Sequence, residues 1–431
     1  MPAVCRSAGP AAQRGTDSAL KPRVADVLRS CGAAYLAARA PRVAAVERRV
    51  LTQLTACRTA ALGGHTWACD ACGHTRVAYN SCRNRHCPTC GGPTRARWLD
   101  RLQQDLLPVP YFHLVFTIPH ELSRLTLANR RAVYGLLFQT AWEALQELAA
   151  DPEHLGARVG AVMVLHTWGQ NLDHHPHVHC VVPGGGLSID GQRWIASHPK
   201  FFLPVVALSR LFRGKFLDGL KRLHRQGKLQ LADKLLPLFD AQDFAAWLSP
   251  LYQKEWVVYV QPPVSPGQGP QAVLKYLARY VAGAAISDGR LLWHAEGRVA
   301  FRAKNYRKGR QRETLSLPEQ EFVRRFLLHV LPRGFVRVRY YGLLANTQRA
   351  ALLARCRQLL GAVTPTAADG AGRHADEPAT PAEPPLCPAC GCGRLMLIDS
   401  QPRPAWCDVR GLFSLTSVRP PATNAPRRDS S

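Results

Sequence analysis

The stretch from Ala161 to Val182 constrains the fold of this chain more than any other. Ala161-Val162-Met163-Val164-Leu165-His166-Thr167-Trp168-Gly169-Gln170 reads as a strand, Asn171 to Pro176 as a polar bend, and His177-Val178-His179-Cys180-Val181-Val182 as a second strand closed by Pro183 and three glycines. Two apolar strands across a short bend predict an antiparallel hairpin. Side chains alternate along a strand, so His177 and His179 share one face, while Val178 and Cys180 face a core. Imidazoles two residues apart can grip one cation. They suit first-row divalent metals, whereas magnesium prefers oxygen. Two histidines leave the coordination sphere open, as a catalytic ion requires. Gln170 is the expected third ligand, with His166 and His175 as rivals. A surface histidine cluster around the bend, which also holds His174, is the plain alternative.

Gln271 to Ala282 reads as a helix entered after Gly269-Pro270. Tyr276 and Tyr280 lie one turn apart on one face, as do Lys275 and Arg279. Tyrosines at this spacing are more often packing residues. Beside a metal they have a second use. A phenol, pKa near 10, is a poor nucleophile at neutral pH unless a cation draws charge from the phosphate it attacks. Attack would join the tyrosine to one DNA end and free a hydroxyl on the other. Lys275, Arg279 and the basic stretch holding Lys304, Arg307, Lys308 and Arg310 would steady phosphate oxygens, or form a solvated face.

Six of the fourteen cysteines fall in three C-x-x-C knuckles. Cys69-Asp70-Ala71-Cys72 and Cys87-Pro88-Thr89-Cys90 have zinc-ribbon spacing, which predicts one site from Cys69, Cys72, Cys87 and Cys90. Cys57, His65, Cys82 and His86 would form a second. A further knuckle, Cys387-Pro388-Ala389-Cys390, lies near Cys392 and Cys407, and these four thiols could bind zinc at an irregular spacing. Cys5, Cys31, Cys180 and Cys356 look isolated. Closed four-ligand sites do no chemistry. The block is therefore expected to bind DNA, with Arg83 and Arg85 at phosphates. Cys72→Ser would unfold it and weaken binding, while cleavage of a minimal site would survive better.

Lysine and arginine number 56 against 30 aspartate and glutamate, a net charge of +26. That balance implies a polyanionic partner, most simply nucleic acid. No apolar stretch is long enough to span a bilayer, and no secretory signal opens the chain. Clustered thiols without that signal suit a reducing cytosol. No phosphate loop of the G-x-x-x-x-G-K-[ST] type occurs, so the chain carries no recognisable ATP-driven helicase of its own. The expected organisation is a disordered N-terminus at 1–20, a helical and zinc-ribbon domain at 21–106, and a catalytic domain at 107–346 with a helical insertion at about 205–250. A helix and linker at 347–386 and a cysteine-containing tail at 387–431 follow.

These stretches resemble the transposases of the Insertion Sequence 91 family, rolling-circle enzymes of the HUH class. The likeness covers roughly residues 50–360. It rests on Asn80 to Pro88, Leu107 to His113, His166 to Gln170, His175 to His179, Tyr276 to Tyr280, Phe326 to Pro332 and Tyr341 to Asn346. The resemblance implies an α+β fold with a ferredoxin-like antiparallel sheet and the histidine pair on a central strand. It implies Mg2+ or Mn2+ held by His177 and His179, Tyr276 and Tyr280 as nucleophiles, and nicking and rejoining of single-stranded DNA at element ends. One departure stands out. Where the family carries Thr-His-Arg after the second tyrosine and later Ser-Asn-His, this chain reads Val281-Ala282-Gly283 and Ser287-Asp288-Gly289. A plasmid replication initiator or relaxase, a catalytically inactive zinc DNA-binding regulator and a zinc hydrolase remain as alternatives.

Overall fold

The computed structural model describes residues 21–261, 283–305, 309, 311–361 and 383–404. It opens with α1 (Val24–Arg39) and α2 (Ala45–Thr55). The first gives way to a 3-10 turn, Ala40–Arg42, with Pro41 near its start, where a missing amide costs no helical hydrogen bond. The cysteine block follows with β1 (Gly64–Cys69), β2 (Thr75–Tyr79) and α3 (Gly91–Asp105). Next come β3 (Tyr111–Thr117), α4 (Ser123–Ala128), α5 (Arg130–Ala150), β4 (Ala157–Arg158), β5 (Gly160–Trp168) and β6 (His174–Pro183). After β7 (Gly185–Ser188) and β8 (Trp194–Ala196) run α6 (Val205–Arg225), α7 (Ala241–Gln253) and β9 (Val258–Gln261). The remainder comprises β10 (Leu291–Ala295), β11 (Arg298–Asn305), β12 (Gln311–Pro318), α8 (Glu319–Leu328), β13 (Val338–Gly342), α9 (Arg349–Leu359) and β14 (Leu395–Gln401).

A five-stranded antiparallel sheet, ordered β13-β5-β6-β3-β9, carries the candidate site. Without its edge strand β13, the unit is β3-α5-β5-β6-α6/α7-β9. That is the strand-helix-strand-strand-helix-strand succession of a ferredoxin-like fold. The class is α+β, as expected, and β6 is the central strand. Residues 205–250 are not an insertion. Phe212, Phe216 and Leu220 of α6 and Phe244 and Leu248 of α7 lie in the same buried core as Phe138 of α5 and Phe112, Leu114 and Phe116 of β3. Each such side chain contributes roughly 1.5–3 kcal/mol. These helices are the second crossover that closes the sheet.

Alternation sorts the two sheet faces. Leu114, Met163, Leu165, Val178 and Cys180 point to α5 and α6. On the other face, Val162, Val164 and Val181 pack against Trp98 and Leu102 of α3 and Leu353 and Cys356 of α9. The histidines occupy the remaining part of that face.

A second core joins the N-terminal helices to the C-terminal half. Val24, Val27 and Leu28 of α1, Leu51 and Leu54 of α2, and Cys57, Cys82 and Cys87 pack with Leu291, Val299 and Phe301 and with Phe322 and Phe326 of α8. Polar ties reinforce it. Arg85 donates to the carbonyls of Phe335 (2.6 Å) and Pro332 (3.2 Å). Arg130 bridges Glu47 (3.0 Å) and the Val330 carbonyl (2.9 Å). A third sheet, β14-β1-β2, brings the C-terminal strand onto the cysteine block. Residues 387–401, expected within a separate tail, thus belong with the N-terminal block. Among the described residues, no helix is long and apolar enough to cross a membrane.

Candidate metal centre and cysteine sites

His177 and His179 share the sheet face that alternation predicts, and the β5–β6 register sets His166 directly opposite His177. One ring nitrogen from each of His166, His177 and His179 lies within 4.8 Å of the others. The Nε2 atoms of His177 and His179 stand 3.1 Å apart. Neighbouring donors in an octahedral sphere of about 2.1 Å radius would stand about 3.0 Å apart. The outward nitrogens are tied down. His177 Nδ1 donates to the His175 carbonyl at 2.7 Å. His179 Nδ1 meets His113 Nε2 at 2.8 Å. With the His179 proton on Nδ1, donated to His113, both Nε2 lone pairs face the common point. Such partners fix tautomer and ring orientation in metal sites. His113 in turn bonds the Gln261 side chain.

Burial keeps the His177 and His179 rings neutral, the state in which imidazole binds a metal. It pushes His177 down to about 4, with His175 adding to the effect. Burial likewise lowers His179 well below its ordinary value. The residues present therefore fit a divalent ion. His175 is exposed; its carbonyl accepts from His177, and its ring centroid lies 5.2 Å from that of His177. Gln170, the expected third ligand, sits in the turn after β5, where its carbonyl accepts from Arg290. His166, a rival named with it, lies with the pair.

Two further histidines brace the hairpin. His174 bonds the hydroxyls of Ser123 (2.7 Å) and Tyr134 (2.9 Å). His329 reaches Thr167 Oγ1 (3.2 Å) and donates to the Leu172 carbonyl (3.0 Å). Burial lowers His174 to about 3 and His329 to about 4. Both values lie below the unfolded one of about 6.5, so the unfolded chain binds more protons in between. Their contribution is complete above about pH 6.5 and is lost as pH falls toward about 4. The urea midpoint of metal-free protein should therefore drop between pH 7 and pH 5, before most carboxylates titrate. A midpoint constant over that window would contradict the buried neutral pair.

Tyr276, Tyr280, Lys275 and Arg279 lie outside the described residues, as do Arg307, Lys308 and Arg310. The residues bordering the tyrosine segment are described. Gln261 pairs with His113 across β9–β3. The Gly283 carbonyl accepts from Arg337 at 2.8 Å. The Arg337 guanidinium lies over the Trp168 ring, and Trp168 stacks on His166 with centroids 4.5 Å apart. Asp288, within the departure from the family pattern, accepts from the Val24 amide (2.9 Å) and Thr89 Oγ1 (2.7 Å). There it favours the N-terminus of α1 and docks the cysteine block.

The thiols group differently from the spacing. Cys57, Cys82, Cys87 and Cys90 form one cluster, and Cys69, Cys72, Cys387 and Cys390 another. Within the first, sulfur separations are 3.5 Å (Cys57–Cys90), 3.6 Å (Cys82–Cys90) and 3.7 Å (Cys57–Cys87). A tetrahedral Zn–S sphere of roughly 2.3 Å sets sulfurs about 3.8 Å apart. The expected sets must therefore be redrawn: Cys69 and Cys72 do not join Cys87 and Cys90. His65 instead bonds Ser400 at 3.1 Å. His86 lines a small hollow with Trp168, His329 and Arg337. Of the basic residues expected at DNA, Arg83 and Lys304 are exposed, whereas Arg85 is engaged with the two carbonyls at 332 and 335.

Two family models match the chain. One, described as "Putative transposase", covers residues 160–351, and one, described as "Transposase zinc-binding domain", covers residues 27–118. The chain is 49% identical over 382 residues to "Putative transposase y4qJ" of Sinorhizobium fredii, spanning 88% of this chain and 95% of that one. It is 29% identical over 333 residues to the "Transposase for insertion sequence element IS801" of Pseudomonas savastanoi pv. phaseolicola, spanning 74% and 75%. No solved structure matches.

Proposed function

We propose, from the premise that this chain belongs to the Insertion Sequence 91 family of transposases, that it nicks and rejoins single-stranded DNA through a 5′-phosphotyrosine link. DNA is its substrate, and zinc is a structural component of its cysteine block. The observation that carries the proposed chemistry is the trio His166, His177 and His179, converging on the central strand of the sheet. The bordering residues Gln261 and Gly283 support the same reading, since bonded or stacked contacts link each to that trio.

His166, His177 and His179 would hold the divalent ion. When bound, such an ion draws charge from a phosphate oxygen and orients the phosphodiester for in-line attack. Three imidazole donors favour Mn2+ over Mg2+. The Oη of Tyr276 or Tyr280 attacks the scissile phosphorus, and the P–O3′ bond breaks. The phenolic proton passes to solvent, and the departing 3′ oxygen takes a proton up. One phosphodiester replaces another, so rejoining needs no ATP. Lys275, Arg279 and Lys304 would neutralise phosphate oxygens. Host replication or helicase machinery would expose the strand.

The test is a denaturation-resistant adduct between the protein and a single-stranded oligonucleotide carrying the element's end. It should form faster with Mn2+ than with Mg2+, by on the order of tenfold. Tyr276→Phe and Tyr280→Phe together should abolish it. Failure of the intact protein to form any adduct on that oligonucleotide would favour a DNA-binding regulator.

A further inference from the structure

The two family matches end at residues 118 and 351, short of the C-terminal knuckle. We propose that Cys69, Cys72, Cys387 and Cys390 form a single tetrahedral thiolate zinc site that clasps the C-terminal segment onto the N-terminal block. The four sulfurs lie within 4.8 Å of one another. Cys69 and Cys390 are separated by 3.7 Å, and Cys72 and Cys387 by 3.8 Å. Those distances suit sulfurs around zinc, at about 3.8 Å, and are far longer than a disulfide of about 2.05 Å.

The backbone is built for the same purpose on both sides. Each pair of cysteines is followed by a glycine in the left-handed region, Gly73 at φ +69° and Gly391 at φ +71°. In each, the glycine amide returns to the first cysteine's carbonyl, Gly73 to Cys69 at 3.1 Å and Gly391 to Cys387 at 2.9 Å. The two knuckles are thus the same turn, facing each other. The amides of Ala389 and Gly393 donate to the sulfurs of Cys387 (3.4 Å) and Cys390 (3.3 Å). Such bonds favour a thiolate. Asp70 and Arg394 join the halves, with the Arg394 amide donating to Asp70 Oδ1 at 2.8 Å and the Asp70 amide to the Arg394 carbonyl at 3.1 Å.

Apolar packing does not account for this union. Among the described residues, the sheet β14-β1-β2 buries Cys69, Cys387 and Leu395, with Trp67 and Cys390 half-buried against them, and the rest of β14 is exposed. A unit this small usually needs a metal or a cross-link to hold together. Structural zinc supplies that stabilisation. Sequence alone grouped the C-terminal knuckle with the neighbouring Cys392 and Cys407, because its complement lies 315 residues away, from Cys72 to Cys387.

The experiment uses the full chain. With cobalt in place of zinc, thiolate-to-metal charge-transfer absorption counts sulfur sites, and the histidine trio contributes nothing to it. The paired substitution Cys387→Ser and Cys390→Ser should halve that absorption and lower bound zinc by one ion per chain. In parallel, a site-specific protease sequence inserted after residue 373 should yield two fragments that co-elute until a chelator is added. Unchanged absorption and zinc content, or fragments that separate before chelation, would overturn the clasp. Neither readout involves strand cleavage, so the proposed reaction stands or falls separately.

Discussion

His166→Ala should weaken Mn2+ binding and slow adduct formation by more than about 100-fold. Outer-shell partners of metal sites already cost 10–100-fold when removed, and His166 lies in the inner group. It is 6% exposed and stands opposite His177 across the hairpin. His113→Phe, which removes the acceptor at His179 Nδ1, should fall within that roughly 10–100-fold range, with Mn2+ affinity and rate declining together. Gln170→Ala should change either quantity little, since the contact described for Gln170 is made by its backbone carbonyl. Titration calorimetry with Mn2+ and single-turnover adduct rates measure both effects. A His166→Ala protein within about threefold of wild type would remove this ring from the site.

Much of the sheet was legible because strand chemistry repeats every two residues. Val178 and Cys180 are fully buried, and the histidine pair faces away from them, as the alternation in β6 requires. The ligand beyond the pair was harder to read. Between His166 and Trp168 the register of β5 on β6 shifts, so counting back from the bend misplaces the residue opposite His177. A bulge of this kind leaves little trace in composition. The helices of 205–250 misled for another reason. In a ferredoxin-like sheet a crossover helix interrupts the strands just as an insertion would, and only its packing on α5 distinguishes the two. The thiols illustrate a more general limit. Knuckle spacing identifies ligands, but the pairing of knuckles depends on distant chain segments meeting.

That pairing changes what the cysteine block is for, and Cys82→Ser exposes the difference. Spacing implied a separable DNA-binding module whose loss would spare minimal-site cleavage. The structure instead gives the two thiol clusters unlike surroundings. Cys72 is exposed at the small clasp, whereas Cys82 is 1% exposed and its cluster sits in the core shared by α1, α2, β10, β11 and α8. Structural zinc is worth about 10–16 kcal/mol of folding free energy in small domains, against a total stability of about 5–15 kcal/mol for a typical protein. Loss of the Cys57–Cys82–Cys87–Cys90 site should therefore unfold that whole core. The core also anchors Leu172 in the bend between β5 and β6, so the histidine trio should lose its geometry too. Cys82→Ser is expected to lower the thermal midpoint by at least roughly 15 °C and to abolish adduct formation on a minimal oligonucleotide. Cys72→Ser should leave that cleavage within about threefold of wild type while weakening binding to longer DNA. Circular dichroism melts and adduct assays on the two variants decide the matter. A Cys82→Ser protein that melts normally and still cleaves would make the block the detachable module that its spacing suggests.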